Sequence, residues 1–454
     1  MEDKKFLFEK DSIPHALGVM AFPAIASQLI ILVYNLADTW FIGRTNNPYM
    51  VAACSLVLPV YMLTIVISNV FGVGGGTLIA RLIGGGEDEE ASKVSSACIW
   101  MSLASALIFS IICLAVMTPL LVFLGASDNV LEYSRQYLFF VVVIGGIPAV
   151  FSNTVSSVLR SIGLSSKASF GLSMGGILNI ALDPLFMFVL LPDGMQVMGA
   201  ALATMFSNVA AAVYFVVTYQ KASKDTVLRF RTKGEYPSGK SFSSIFGVGI
   251  PAAVGMLLFD ICNVVINRLA ASYGDIELAA IGIVLKAERL PLNIGVGICL
   301  GMVPLLAYCY SSGDRKRMDA FFRFGRLVGL VIGITCVVLY YIFAPVIMQA
   351  FIGDAETVRY GTLFLRARCF ATPLMFLCFS MAHFTQAIGR GNASFLLAVV
   401  RQIVFNIPIL ILFNHLFGVM GIVWTQAVAD LFTAIVSYIV YASIRKHEGW
   451  PAGI

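Results

Sequence analysis

The sequence is 454 residues long, and 59% of these residues are hydrophobic while only 12% are charged. An ordinary soluble domain carries about 25% charged residues, so the lipid bilayer rather than water is the main solvent of this chain. The formal net charge is +5, and we expect no nucleic-acid partner. Because apolar stretches fill nearly the whole length, no room remains for a separate soluble enzyme domain.

Apolar runs of roughly 20 residues or more recur along the chain between polar breaks. A run of this length forms a helix that crosses a hydrocarbon core about 30 Å thick, and it is too long for a strand of a membrane barrel. We predict twelve transmembrane helices, with ends placed to within about four residues. In chain order they span residues 15–43, 51–83, 94–118, 130–162, 167–191, 197–219, 242–272, 277–311, 321–345, 357–388, 394–415 and 419–444.

Lysine and arginine residues gather in alternate loops, and basic loops stay on the cytoplasmic side of a membrane. The loops on the other side carry neither residue and lie near 124–129, 192–196, 272–275 and 414–418. The basic side includes both ends of the chain. The pattern therefore predicts a multi-pass protein of the cytoplasmic (inner) cell membrane with both termini in the cytoplasm.

The first half of the chain is repeated in the second half with an offset near 227 residues. The matching positions include Asn179 with Asn406, Val197 with Val419 and Pro23 with Pro251. Six spans in each repeat predict a pseudo-twofold axis along the membrane normal. We expect an N-terminal lobe over residues 1–220, a cytoplasmic linker over 221–242 and a C-terminal lobe over 243–454.

Two acidic residues of the first half lie at membrane depth, where an acidic group costs about 2.5–3.5 kcal/mol on insertion scales. They are Asp38 in the first span and Asp183 in the fifth. Asn179 lies one helical turn before Asp183 and shares its helix face. Pro184 removes a backbone donor and frees carbonyl oxygens beside Asp183. Such a group is expected to hold a proton or a sodium ion; alternatively, each aspartate only pairs with a neighbouring polar group and holds helices together.

The second half differs, because Ile266 and Leu410 stand where the first half has the two aspartates. Cation coupling is therefore expected in the first lobe alone. The candidate substrate-binding residues are Asn35 of the first span and Asp260, Glu288, Arg289 and His383 of the second lobe, whose polar set also includes Lys286 and Asp430. Glu288 has basic neighbours in sequence, and its alternative role is in an internal ion-pair network. The alternative for His383 is a hydrogen-bonded residue inside a packed helix.

Three segments resemble the multidrug and toxic compound extrusion (MATE) family: residues 35–43 (NLADTWFIG), 179–184 (NIALDP) and 197–204 (VMGAALAT). The likeness covers nearly the whole chain and is nearest to the DinF-like and MepA-like bacterial branch. The resemblance implies two six-helix lobes arranged in a V, which work by alternating access as a drug antiporter. It also implies a cation-coupling site at Asp38, Asn179, Asp183 and Thr204, with sodium possible at the first three.

These features predict an all-α membrane antiporter, not an enzyme, that exports cationic or amphipathic small molecules in exchange for H+ or Na+, with Pro23 as the hinge. We expect no cofactor beyond the coupling ion, contact with membrane lipids and a monomer. One alternative is a lipid-linked oligosaccharide flippase of the same wider superfamily, for which Lys286, Arg289 and Arg401 are the deep basic candidates. Another is a metabolite exporter of narrow specificity. An integral membrane enzyme would need clustered His, Cys or acidic residues, whereas the four histidines are scattered.

Overall fold

The computed structural model describes residues 2–230, 236–448 and 450, and this part of the chain is almost entirely helical with no β-strand. The helices of the first half are α1 (Glu2–Glu9), α2 (Ile13–Gly43), α3 (Pro48–Gly84), α4 (Asp88–Ala115), α5 (Met117–Phe123), α6 (Asp128–Leu138), α7 (Gly146–Ser161), α8 (Ser165–Pro184) and α9 (Gln196–Asp225). Those of the second half are α10 (Gly239–Ala271), α11 (Asp275–Ser311), α12 (Arg315–Phe351), α13 (Ala355–Arg368), α14 (Ala371–Ala387), α15 (Gly391–Val399), α16 (Ile407–Phe417) and α17 (Val419–His447). Three π-helical segments connect neighbouring helices and comprise Phe139–Ile144, Leu185–Leu190 and Val400–Asn406.

Ten helical segments in the described residues are long and apolar enough to cross a membrane, and two bent helix pairs supply the remaining spans. The first pair joins Asp128–Ile144 to Gly146–Ser161 with a bend of 41°, and the second joins Ala355–Arg368 to Ala371–Ala387 with a bend of 47°. Each bent pair falls on the fourth predicted span of its half. The predicted all-α fold, with twelve spans in two six-helix lobes related by pseudo-twofold symmetry, is confirmed.

Several helices begin before the apolar run that predicted them, because polar residues cap their first turns. The Asn47 side chain accepts a hydrogen bond from the backbone N–H of Tyr49 at 3.0 Å, and the Asp314 side chain accepts one from that of Arg317 at 2.9 Å. Such caps satisfy backbone donors that have no partner within the helix. The ninth span therefore starts at Arg315 rather than at the predicted residue 321. Helix α1 has no counterpart in the sequence prediction.

The two lobes meet where α2 crosses α11, and glycines allow their backbones to touch. A Cβ added at Gly301 would lie 2.5 Å from the Cα of Ala21, and one added at Gly297 would lie 2.6 Å from the Cα of Ile25. Real Cβ atoms do not approach other atoms this closely, so only glycine fits here. These contacts lie at the end of the lobes that carries the basic loops, which we call the closed end. The lobes converge at the closed end and form the predicted V.

Helix α1 bridges the two lobes at the closed end. The Phe8 ring stacks on Tyr308 of the second lobe with a centroid distance of 4.8 Å, and it lies against Gly163 of the first lobe. Arg317 of α12 donates hydrogen bonds to the backbone oxygens of Phe8 and Asp11, both at 2.6 Å. The N-terminal helix is thereby fixed to both halves of the molecule.

The segment between the lobes is attached to α4 on both sides of residues 231–235, which lie outside the described residues. The backbone oxygen of Phe230 accepts hydrogen bonds from Ser96 Oγ at 3.0 Å and from Trp100 Nε1 at 2.7 Å. Beyond the gap, Glu90 Oε1 accepts from Ser238 N at 2.7 Å and from Ser241 Oγ at 2.6 Å. The lobe and linker boundaries at residues 220 and 243 stay a prediction.

Candidate functional site

Asn179, Asp183 and Thr204 form a polar cluster inside the first lobe. Asn179 Nδ2 donates to Asp183 Oδ1 at 3.4 Å and to Thr204 Oγ1 at 3.3 Å. Asp183 is fully buried and Asn179 is 3% exposed. Helix α8 supplies the first two residues one turn apart, and α9 supplies Thr204. Three residues proposed from the sequence are thus in direct contact.

The local backbone at this cluster departs from a regular α-helix. Helix α8 ends at Pro184, and the π-helical segment Leu185–Leu190 follows it directly. Proline cannot donate the hydrogen bond that would close the preceding turn, and π-helical turns are frequent at functional sites. Asp183 therefore lies in the last turn of α8, directly before the π-helical segment; the sequence predicted a loosened backbone ladder at Pro184 but no π-helix.

Asp38 approaches the cluster from α2. Its side chain is half-buried, and its carboxylate is within electrostatic range of Asp183. The tyrosine hydroxyls of Tyr34, Tyr61 and Tyr137 are also within electrostatic range of Asp38. The two aspartates and the three tyrosines thus lie near one another in the interior of the first lobe.

One oxygen atom on each of three side chains is buried without a hydrogen-bond partner. They are Asp38 Oδ1, Asn179 Oδ1 and Asp183 Oδ2. An unpaired buried acceptor costs about 1–3 kcal/mol. Carboxylate and amide oxygens are the ligands that hard cations take, and a proton on either carboxylate would instead supply a hydrogen-bond donor. A three-residue cluster of His, Cys, Asp or Glu that could hold a metal does not occur among the described residues.

Asn35 and Pro23 lie on α2 outside this cluster. Asn35 is exposed, and its backbone oxygen accepts a hydrogen bond from Thr39 Oγ1 at 2.9 Å. Helix α2 runs without a break through Pro23. Pro23 lines an apolar groove of about 710 Å³ between α2 and α8, which Met174 and Ile177 also line. The hinge role of Pro23 stays a prediction.

Among the described residues, no hydrogen bond or ion pair joins any two of the four second-lobe candidates to each other. Glu288 forms an ion pair with Arg368 of α13, with 2.7 Å between Arg368 Nε and Glu288 Oε1. Arg368 is not one of the sequence neighbours that were considered as its partners. Arg289 is exposed, stands 5.8 Å from the Phe259 ring and is within electrostatic range of Asp260. His383 Nδ1 lies 2.8 Å from the backbone oxygen of Phe379, one turn earlier in α14. Glu288 and His383 thus have the contacts that their structural alternatives require, while a substrate role remains a prediction for all four.

A second buried polar cluster lies in the second lobe; the sequence named Asp430 and Arg401 separately but did not predict that they meet. Arg401 Nε and Nη2 donate to Asp430 Oδ1 and Oδ2 at 2.7 and 3.0 Å. Gln426 Nε2 donates to Asp430 Oδ2 at 2.9 Å, and Asn406 Nδ2 donates to Gln426 Oε1 at 3.0 Å. Asp430 is fully buried and the other three are at most 9% exposed. The match of Asn406 to Asn179 in the repeat was the signal that could have identified it.

Known proteins resemble this chain along nearly its whole length. The MatE family model matches residues 23–185 and 251–412, one segment in each lobe. The multidrug export protein MepA of Staphylococcus haemolyticus is 30% identical over 445 residues, which cover 98% of this chain and 97% of that protein. MepA of Staphylococcus aureus strain MRSA252 is 29% identical over 444 residues with the same coverage.

Solved structures agree at the level of the fold. An outward-facing multidrug resistance MATE family transporter superposes with a TM-score of 0.91 at 23% identity, and the match covers 98% of each chain. A MATE transporter of Vibrio cholerae gives 0.89 at 19% identity, covering 98% of this chain and 99% of that one. The chain is a multi-pass protein of the bacterial cell membrane and a transporter, not an enzyme. Because the family model matches in both halves, it belongs to the MatE (MATE) family, which its sequence resembles.

Proposed function

We propose that this protein exports cationic or amphipathic small molecules from the cell in exchange for H+ or Na+. The observation that carries the proposal is the group of three unpaired buried oxygens on Asp38, Asn179 and Asp183. The relatives named as multidrug export proteins support the same conclusion. Both termini lie in the cytoplasm in this proposal, so the closed end faces the cytoplasm and the V opens outward. The protein works as a monomer in contact with membrane lipids.

Cation binding lowers the electrostatic free energy of the first lobe. Two carboxylates near one another in an apolar interior repel and are poorly solvated, and a bound proton or sodium ion removes one unit of negative charge. The bound cation supplies the contacts that the three oxygens lack, so α2 packs differently against α8 in the loaded and the empty lobe. Pro23 is the point at which α2 bends between the two arrangements.

The membrane potential drives export when net positive charge enters the cell in each cycle. Each net charge that enters down 100 mV releases about 2.3 kcal/mol, which corresponds to roughly fiftyfold accumulation of the exchanged solute. One-for-one exchange with a monovalent cationic solute moves no net charge and is driven by the concentration gradient of the coupling ion. Thr204 ties α9 to the cation-coupling cluster through its contact with Asn179. A substrate with delocalised positive charge is attracted to the acidic and aromatic interior by charge and by cation–π contacts.

The flippase alternative would need basic residues in the cavity that are available for an anionic lipid-linked sugar. Of the three deep basic candidates, Arg401 is neutralised by Asp430 at 2.7 Å, whereas Lys286 and Arg289 are exposed. The pairing of Arg401 favours the cation exporter, and the flippase alternative rests on Lys286 and Arg289. A metabolite exporter of narrow specificity would share the coupling cluster and differ only in the compounds carried.

The test is uphill movement of ethidium in proteoliposomes under an imposed proton or sodium gradient, with Asp183→Asn measured alongside. The matched control is Asp193→Asn, which removes a carboxylate from an exposed loop position. We expect the wild type and Asp193→Asn to accumulate ethidium under one gradient, which identifies the coupling ion, and Asp183→Asn to lose accumulation. Failure of both gradients to drive any tested cation would overturn the proposal.

A further inference from the structure

The polar clusters of the two lobes are built on corresponding positions. Asn179 contacts Thr204 in the first lobe, and Asn406 contacts Gln426 in the second. Asn406 follows Asn179 by the repeat offset of 227, and Gln426 follows Thr204 by the 222 residues that separate Val419 from Val197. Each lobe thus places an amide on its fifth span against a polar side chain on its sixth.

The clusters differ in the charges that surround this shared contact. The first lobe has the carboxylate of Asp183, where the second has Leu410. The second lobe has its carboxylate at Asp430, which corresponds to Asn208, and its guanidinium at Arg401, which corresponds to Met174. The first cluster has no basic partner among the hydrogen bonds and ion pairs of the described residues, whereas the second contains one.

Arg401 lies on a π-helical segment of the second lobe. This segment, Val400–Asn406, also carries Gln402 and Asn406, and all three side chains are at most 7% exposed. Cys262 Sγ on α10 contacts the backbone oxygen of Gln402 at 3.6 Å. The segment is therefore held against a neighbouring helix.

Two further oxygens of this region are buried without a hydrogen-bond partner, Gln402 Oε1 and Asn406 Oδ1. Together with the Asp430 carboxylate they provide oxygen donors of the kind that bind a monovalent cation. The other charged groups nearby, Glu288 and Arg368, neutralise one another. The only charge that balances Asp430 in the described part of this cluster is thus the guanidinium of Arg401.

We propose that Asp430, Asn406 and Gln426 form a second monovalent-cation site whose cation is the side chain of Arg401. The guanidinium is a tethered ion that cannot leave, so the second lobe keeps one charge state throughout the cycle. Ion exchange is then restricted to the first lobe, a point that rests on the proposed function. Removal of the arginine side chain converts the cluster into a site for a free cation.

The experiment measures binding of radiolabelled guanidinium and of radiolabelled sodium to purified protein at pH 8. All variants carry Asp38→Asn and Asp183→Asn, which remove both carboxylates of the first-lobe cluster, so that failure of the proposed function does not affect the result. We expect Arg401→Ala to bind about one cation per chain and to show a saturable rise in Tm with that cation, since a ligand specific for the folded state stabilises it. Arg401→Lys keeps a tethered charge and is expected to bind none.

Two controls separate a cation site from a structural ion pair. Arg401→Ala with Asp430→Asn lacks the carboxylate and is expected to bind no cation, and Arg359→Ala removes an exposed arginine and is expected to behave as the parent. Should Arg401→Ala fold poorly, its recovery in folded form with guanidinium or sodium present during purification supports the proposal. If neither ion binds to Arg401→Ala or restores its folding, the pair is only structural and the proposal is overturned.

Discussion

Substitution of Gly301 by alanine tests whether the contact between α2 and α11 controls the closed end of the V. The added Cβ would lie 2.5 Å from the Cα of Ala21 and 2.6 Å from its backbone nitrogen. Non-bonded carbon atoms pack at about 3.5–4.0 Å, so the two helices must separate by about 1 Å. Overpacking of this kind costs about 1–3 kcal/mol.

The cost falls on the closed arrangement alone, because an arrangement with separated lobes lacks this contact. The ratio of open to closed molecules at this end is therefore expected to rise about 5–150-fold. Spin labels at Glu89→Cys and Lys316→Cys, both exposed at the closed end of their lobes, report the separation by double electron–electron resonance. The nine native cysteines are buried and should remain unlabelled.

We expect a longer interlobe distance to gain population in Gly301→Ala. Gly282→Ala is the matched control on the same helix, because no atom lies within 4 Å of a Cβ added there. A distance distribution that is the same in Gly301→Ala, Gly282→Ala and the parent would refute the reasoning, provided that all three proteins are folded.

Two other perturbations at the closed end have defined outcomes. Phe8→Ala removes a ring that is 3% exposed and stacked on Tyr308. Loss of a buried phenylalanine costs about 3–5 kcal/mol, so the Tm of this variant should fall. The control Phe6→Ala, at a position 54% exposed, should leave Tm unchanged. Equal Tm values for the two variants would show that α1 does not stabilise the closed end. The Arg390 guanidinium, 2.6 Å from Glu448, lowers the pKa of that carboxyl below its ordinary 4.5. This pair therefore stabilises the fold above pH 4.5 by at most about 1 kcal/mol and loses that contribution as the pH falls through the lowered pKa; the Tm difference between wild type and Glu448→Gln should disappear in acid, and a difference that persists there would contradict the assignment.

The apolar runs predicted the twelve spans because each helix must cross the bilayer as one hydrophobic unit. The same physical cost of burial identified Asp38 and Asp183, and the one-turn spacing to Asn179 predicted the contact that the structure contains. The bends in the two fourth spans were not predicted, since a bent pair has the same length and composition as a straight helix.

Side-chain pairing between distant segments was the main thing that the sequence did not reveal. Glu288 was weighed against its neighbours Lys286 and Arg289, yet adjacent residues on a helix do not face one another, and Arg368 supplies the partner. Arg401 and Asp430 are 29 residues apart and meet where a π-helical turn packs against α17. Hydrophobic periodicity contains no signal for such a turn.

The attachment of the linker to α4 determines how force passes between the lobes. Glu90 holds the first turn of α10 through Ser238 and Ser241, so the second lobe is attached to the first at one point that serves as a pivot. A rotation of one lobe about this pivot displaces the far ends of the helices most, where the V opens.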